Sequence, residues 1–153
     1  MQLNEKIKNA LIKIDFIRKY EELSRDFSSD RTPESELLEY VDRDEAMEII
    51  ERLGYKASFD RREKFFKIEK EKIGNYTFGF HIVLRYGSVE FIWCVWDGED
   101  VILGSPWSIY SRLLIDPDYR ISYPVFGTYE DLDEIFERGF TMYEEFKKAV
   151  ISA

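Results

Sequence analysis

Three features of the 153-residue sequence predict an α+β fold. Apolar residues take helical spacing at both ends, alternate in the middle, and are interrupted there by turn signals about 12 residues apart. N-terminal helices, a central antiparallel β-meander of about four to five strands and C-terminal helices are expected, as a single domain over residues 1–153. With 12 Phe, 10 Tyr and 3 Trp, the chain has enough apolar surface for a substantial core.

Leu3, Ile7, Ala10, Leu11, Ile14, Ile17, Tyr20 and Phe27 recur every three or four residues, so 3 to about 26 reads as one amphipathic helix. Thr32-Pro33 resembles an N-cap followed by Pro in the first turn, which predicts a short helix to about Tyr40. Asp42 and Glu45 form an Asp-x-x-Glu capping box before the Met47, Ile50 and Leu53 stripe, and Gly54 is the stop.

From Tyr55 onward the period becomes alternating. Strands are expected at about 64–72 and 76–86, joined at Gly74-Asn75, with a bulge or longer loop in that first hairpin. Gly87-Ser88 suits a two-residue type II′ turn, and Asp97-Gly98-Glu99-Asp100 closes the next hairpin. A turn at Gly87-Ser88 sets Tyr86 opposite Val89, Leu84 opposite Phe91, Ile82 opposite Trp93 and Phe80 opposite Val95, an apolar face that must meet the helices. The same register opposes Arg85 to Glu90, Val83 to Ile92 and His81 to Cys94 on the other face.

Beyond the meander, Ser105 is expected to cap a turn that begins at Pro106, and Ile115-Asp116-Pro117-Asp118 breaks it. Ile121, Tyr123 and Val125 alternate, but Pro124 restricts that stretch to an edge or an extended segment. Thr128 and Asp131 cap a last helix with Leu132, Ile135 and Phe136 inward. Phe140, Tyr143, Phe146 and Val150 extend its stripe past Gly139, where a bend or break is expected.

The net charge is −9, supplied by two stretches: residues 28–58 sum to −5 and residues 129–153 to −4. Such a balance opposes binding to nucleic acid or anionic lipid and favours a basic partner. No apolar run reaches a membrane span, and Met1 to Lys6 lacks a signal-peptide layout, so a cytoplasmic protein is expected. One Cys and one His exclude an internal disulfide and the usual zinc sets; no metal or cofactor is expected. Gly74, Gly79, Gly87, Gly98 and Gly104 punctuate strands and make no phosphate-binding loop.

His81 opposite Cys94 is the one arrangement with catalytic character, since an imidazole can activate a thiol. Mid-strand positions suit neither a nucleophile nor an oxyanion hole, so the expectation is no enzyme and no catalytic residue. A small-molecule or enzymatic pocket over the His81/Cys94 face stands as the alternative. For partner binding, Trp96, Trp107 and Tyr110, together with Tyr119 and Tyr123, supply rings near carboxylates, the chemistry that receives Arg and Lys. Asp97, Glu99 and Asp100 form an acidic hairpin tip; Glu130, Asp133, Glu134 and Glu137 form an acidic helix face, as do Asp44, Glu48 and Glu51 on the earlier helix.

The order of N-terminal helices, meander, Ser105-Pro106-Trp107, extended Tyr123-Pro124-Val125-Phe126 and a helix from Tyr129-Glu130-Asp131-Leu132 to Tyr143-Glu144-Glu145-Phe146-Lys147-Lys148 resembles bacterial immunity proteins. These are the cognate inhibitors of contact-dependent and other polymorphic toxins, and the resemblance spans roughly residues 55–150. It implies a cytoplasmic, non-catalytic protein that occludes a toxin's active site, often that of a nuclease with a basic cleft. An acidic inhibitor suits that task because it mimics the charge of nucleic acid and associates fast.

Overall fold

In the computed structural model, which describes residues 2–152, the chain is α+β. The helices are α1 (Glu5–Lys13), α2 (Phe16–Asp26), α3 (Arg43–Arg52), α4 (Trp107–Leu114) and α5 (Tyr129–Ile151). The strands are β1 (Ala57–Asp60), β2 (Phe65–Ile73), β3 (Tyr76–Arg85), β4 (Ser88–Asp97) and β5 (Asp100–Leu103). The five strands form one antiparallel sheet in sequence order.

The expected long first helix is two helices. Ile14 closes α1, and Asp15 takes a left-handed conformation (φ 58°), so the chain changes direction before α2. Apolar periodicity cannot report such a break, because each helix keeps its own buried face: Ile7, Ala10 and Leu11 on α1, and Phe16, Tyr20 and Leu23 on α2. The expected helix to Tyr40 is a single 3-10 turn, Glu34–Glu36. The chain stays extended after it because the Leu38 N–H is used on the Phe126 carbonyl.

The Asp42 carboxylate caps α3 by accepting the Asp44 N–H at 2.8 Å, and its own N–H goes to the Tyr129 hydroxyl at 3.0 Å, not to Glu45. The expected Ser105 cap on α4 is also corrected. Pro106 is the N-cap, and the Ser105 carbonyl accepts from the Tyr110 hydroxyl at 2.6 Å.

In the sheet, Ile73 faces Tyr76 across Gly74-Asn75, and a bulge lies between Ile68 and Glu71, as the charge pattern of β2 requires. The next turn differs from expectation: Arg85 pairs with Ser88, so Tyr86-Gly87 is the turn, with positive φ at both residues (50° and 84°), the type I′ pattern. Phe80 therefore opposes Trp93, Ile82 opposes Phe91 and Leu84 opposes Val89. The slip is two residues, which changes every partner and leaves both faces intact.

α5 runs unbroken for 23 residues against the apolar face, and Thr128 caps it as expected, accepting the Asp131 N–H at 3.1 Å. Gly139 produces no break. A Cβ there would lie 2.6 Å from the Phe91 ring, so glycine admits the close approach of helix to sheet. Phe140, Tyr143 and Phe146 continue the contact onto Phe80, Trp93 and Phe78. Residues 121–126 are an extended strap: Val89 N–H bonds the Pro124 carbonyl, and Phe126 N–H bonds Gly87. Among the described residues, no helix is long and apolar enough to cross a membrane.

Candidate functional site

Trp107 and Tyr110 were expected to meet a partner, but both are fully buried. α4 is apolar on the side facing the sheet, and Trp107 packs edge-on against Phe16, Tyr20 and Trp93 at centroid distances of 5.2, 5.1 and 5.0 Å. The Tyr110 hydroxyl accepts the Trp93 N–H at 3.2 Å, and burial pushes its pKa up. These rings anchor α4 to β4 and cannot reach a partner in this fold.

The other rings are partly occupied. Trp96 lies on the outer sheet face with the Lys70 ammonium 4.4 Å from its centroid. Tyr119 donates to Glu21 at 2.7 Å, and Tyr123 donates to Glu90.

The acidic residues fall into separate groups. Asp97 accepts from the Asn75 amide at 2.5 Å, and Glu99 and Asp100 are exposed beside it on the β4–β5 hairpin tip. Tyr76 pairs with Asp97, whereas Arg85 pairs with Ser88 at the other end of β3, so this tip and the Tyr86-Gly87 turn are separated by the length of the sheet. On α5, Glu130, Glu134 and Glu137 are exposed, while Asp133 binds Arg52 at 2.6 Å. That bridge and the Asp42–Tyr129 bond hold α3 against the first turns of α5. Asp44, Glu48 and Glu51 thus share the helical side of the molecule with Glu130, Glu134 and Glu137, and none of the six enters an ion pair among the described residues.

At the start of these two helices lies a feature that motif reading missed. A groove of about 460 Å³ has Phe59, Phe66, Leu84 and Val41 as its apolar lining and carries Glu39, Asp42 and Asp44 together with Arg43, Lys64 and Tyr86. Arg43 lies over the Phe59 ring at 4.3 Å. Tyr86 is 72% exposed in a left-handed conformation rare for an aromatic residue, and Tyr40, between the lining residues Glu39 and Val41, is 85% exposed. The signal for Tyr86 was present but weak: Tyr-Gly at a hairpin tip fits a type I′ turn only with φ > 0 at tyrosine, where Asn or Gly is usual.

The His81/Cys94 pair is also corrected. His81 opposes Ile92 and stacks near Phe65 at 4.5 Å, whereas Cys94 opposes Gly79. Burial, then Lys67 and Lys70, push the imidazole pKa down, and burial raises that of the thiol. Both shifts favour the neutral forms, opposite to what a thiolate–imidazolium pair requires. No family model, curated protein or solved structure matches this chain.

Proposed function

We propose that this chain is a non-catalytic binding protein of the immunity type that neutralises a basic toxin, such as a nuclease, by covering its active-site surface. The docking end is the one bearing Tyr40, Tyr86 and the groove, flanked by the carboxylates of α3 and of the first half of α5. One observation carries the reading: two strongly exposed tyrosines share an end of the molecule with carboxylates that enter no ion pair among the described residues, in a groove that Arg43 and Lys64 also line. Tyrosine rings supply rigid contact area at small entropic cost, and unpaired carboxylates steer a basic surface into contact. Strain retained at an exposed ring also marks a position where binding, rather than folding, accounts for the residue.

The test begins with the purified chain as bait for lysate and secreted protein of its source at low and high salt. A basic protein retained at low salt, released at high salt, and toxic when expressed without this chain is the expected result. Glu130→Lys, Glu134→Lys and Glu137→Lys combined should slow association at least tenfold at low salt. Tyr40→Ala with Tyr86→Gly should speed dissociation, while relief of strain at 86 raises stability by about 1 kcal/mol. Toxin neutralised equally by both variants would overturn the assignment of this end.

A further inference from the structure

We infer that the open edge of β1 pairs with the same edge of a second copy, joining two sheets antiparallel about a two-fold axis at Ser58. The hydrogen-bonding phase of β1 is set by one bond: Glu69 N–H donates to the Lys56 carbonyl at 2.8 Å. In an antiparallel ladder, N–H and C=O of alternate residues point to the same side. The backbone groups of residues 56, 58 and 60 therefore face β2, and those of Ala57 and Phe59 point outward.

β1 stands at the end of the sheet and pairs only with β2. The far side of the sheet is managed differently. β4 is covered along its length by β5, by the Ile92–Pro106 bridge and by the Ser88–Val125 bridge. β5 itself ends in the acidic Glu99-Asp100 turn, which repels its own copy.

The sequence of β1 is self-complementary in one register. With Ser58 opposite Ser58, Ala57 and Phe59 of one chain exchange both backbone bonds with Phe59 and Ala57 of the other, four bonds in all. Lys56 then lies opposite Asp60, twice, in the closer non-hydrogen-bonded pairing, where opposite charges are favourable. Residue i meets residue j and j meets i, as an isologous two-fold contact requires. A four-residue edge makes a weak dimer, with Kd on the order of 0.1 mM.

Sedimentation equilibrium of the full chain from about 10 μM to 1 mM should show reversible monomer–dimer exchange. Amide hydrogen exchange at Ala57 and Phe59 should slow as the dimer forms. Ala57→Pro removes an outward N–H that no ladder bond uses, so it should abolish the dimer and leave the circular dichroism spectrum unchanged. Lys56→Glu should raise Kd about tenfold, from two lost attractions and two new repulsions; adding Asp60→Asn, which keeps the oxygen that caps Arg62 and Glu63, should recover part of that loss. A monomer at 1 mM, or a dimer indifferent to Ala57→Pro, would overturn the inference.

Discussion

Gly139→Ala tests whether the approach of α5 to the sheet is as close as the geometry states. On propensity alone the substitution stabilises a mid-helix site by about 1 kcal/mol. Here the added Cβ falls 2.6, 2.7 and 3.2 Å from three atoms of the Phe91 ring. That ring is 2% exposed and is held by Trp107, Phe80 and Phe136 at 4.7, 5.3 and 6.4 Å, so it has no free direction in which to move. Overpacking a core of this kind costs about 1–3 kcal/mol, and three sub-contact distances put the site at the upper end. The net expectation is a loss of about 2 kcal/mol, or about 4–8 °C in Tm for a chain of this size. Urea and thermal unfolding measure it directly. In a Phe91→Leu background the same change should be stabilising, a coupling visible in a double-mutant cycle. A higher Tm for Gly139→Ala in the wild-type background would refute the reasoning.

Two further predictions concern charged groups. Burial and the Lys67 and Lys70 ammoniums lower the His81 pKa below 6.5, opposed only by Asp60, so the unfolded chain takes up the proton first as pH falls. Stability attributable to His81 is thus complete above about 6.5 and declines below it as pH approaches the folded value; urea midpoints from pH 8 to 5 should show this decline in wild type and a shallower one in His81→Phe. Lys147 is 4% exposed and sits between Glu71 at 2.7 Å and Glu144 at 3.0 Å, both carboxylates about half exposed. Lys147→Met keeps the buried stem and lets both carboxylates rehydrate, so unfolding free energy should change by no more than about 1 kcal/mol, whereas Lys147→Ala should lose about 2 kcal/mol or more through the cavity.

Faces were legible in the sequence where partners were not. Phe80, Ile82, Phe91 and Trp93 lie on the core face in the structure as in the alternation pattern, because any even slip preserves it. The identity of each opposite residue depended on one turn, and Tyr86 occupies a conformation that local preferences assign to Asn or Gly. Caps were legible at Thr128 and at Asp42, and only the Glu45 half of the Asp42 box is missing, because the Tyr129 hydroxyl takes the Asp42 N–H. The failed helix after Pro33 has its origin outside the local window, where the Phe126 carbonyl takes the Leu38 N–H, whereas the break at Asp15 is a local left-handed turn between two helices that each keep an apolar face. Trp107 and Tyr110 were misplaced for a further reason. Composition reports that a ring sits near carboxylates in sequence and not whether it points inward.

The balance of internal ion pairs gives the net charge its shape. Arg18, Lys19, Arg31, Arg52, Arg138 and Lys147 each bind a carboxylate, and all but Arg18 reach one on another element. Arg52 and Arg138 are thereby engaged in internal bridges, Arg43 and Lys148 are not, and Asp44, Glu48, Glu51, Glu130, Glu134 and Glu137 enter no ion pair among the described residues. The stretch from Lys56 to Lys72 reverses the sign, with seven basic against four acidic side chains, and none of its cations is in an ion pair among the described residues. The net charge is therefore unevenly placed along the chain. Arg61, Arg62 and Lys64 of the β1–β2 turn stand at the groove end, so a basic partner is drawn to the carboxylates of α3 and α5 and meets local repulsion beside Phe59 and Phe66. Phe59 belongs to both features: its ring lines the groove, and its backbone lies on the β1 edge proposed to pair with a second copy.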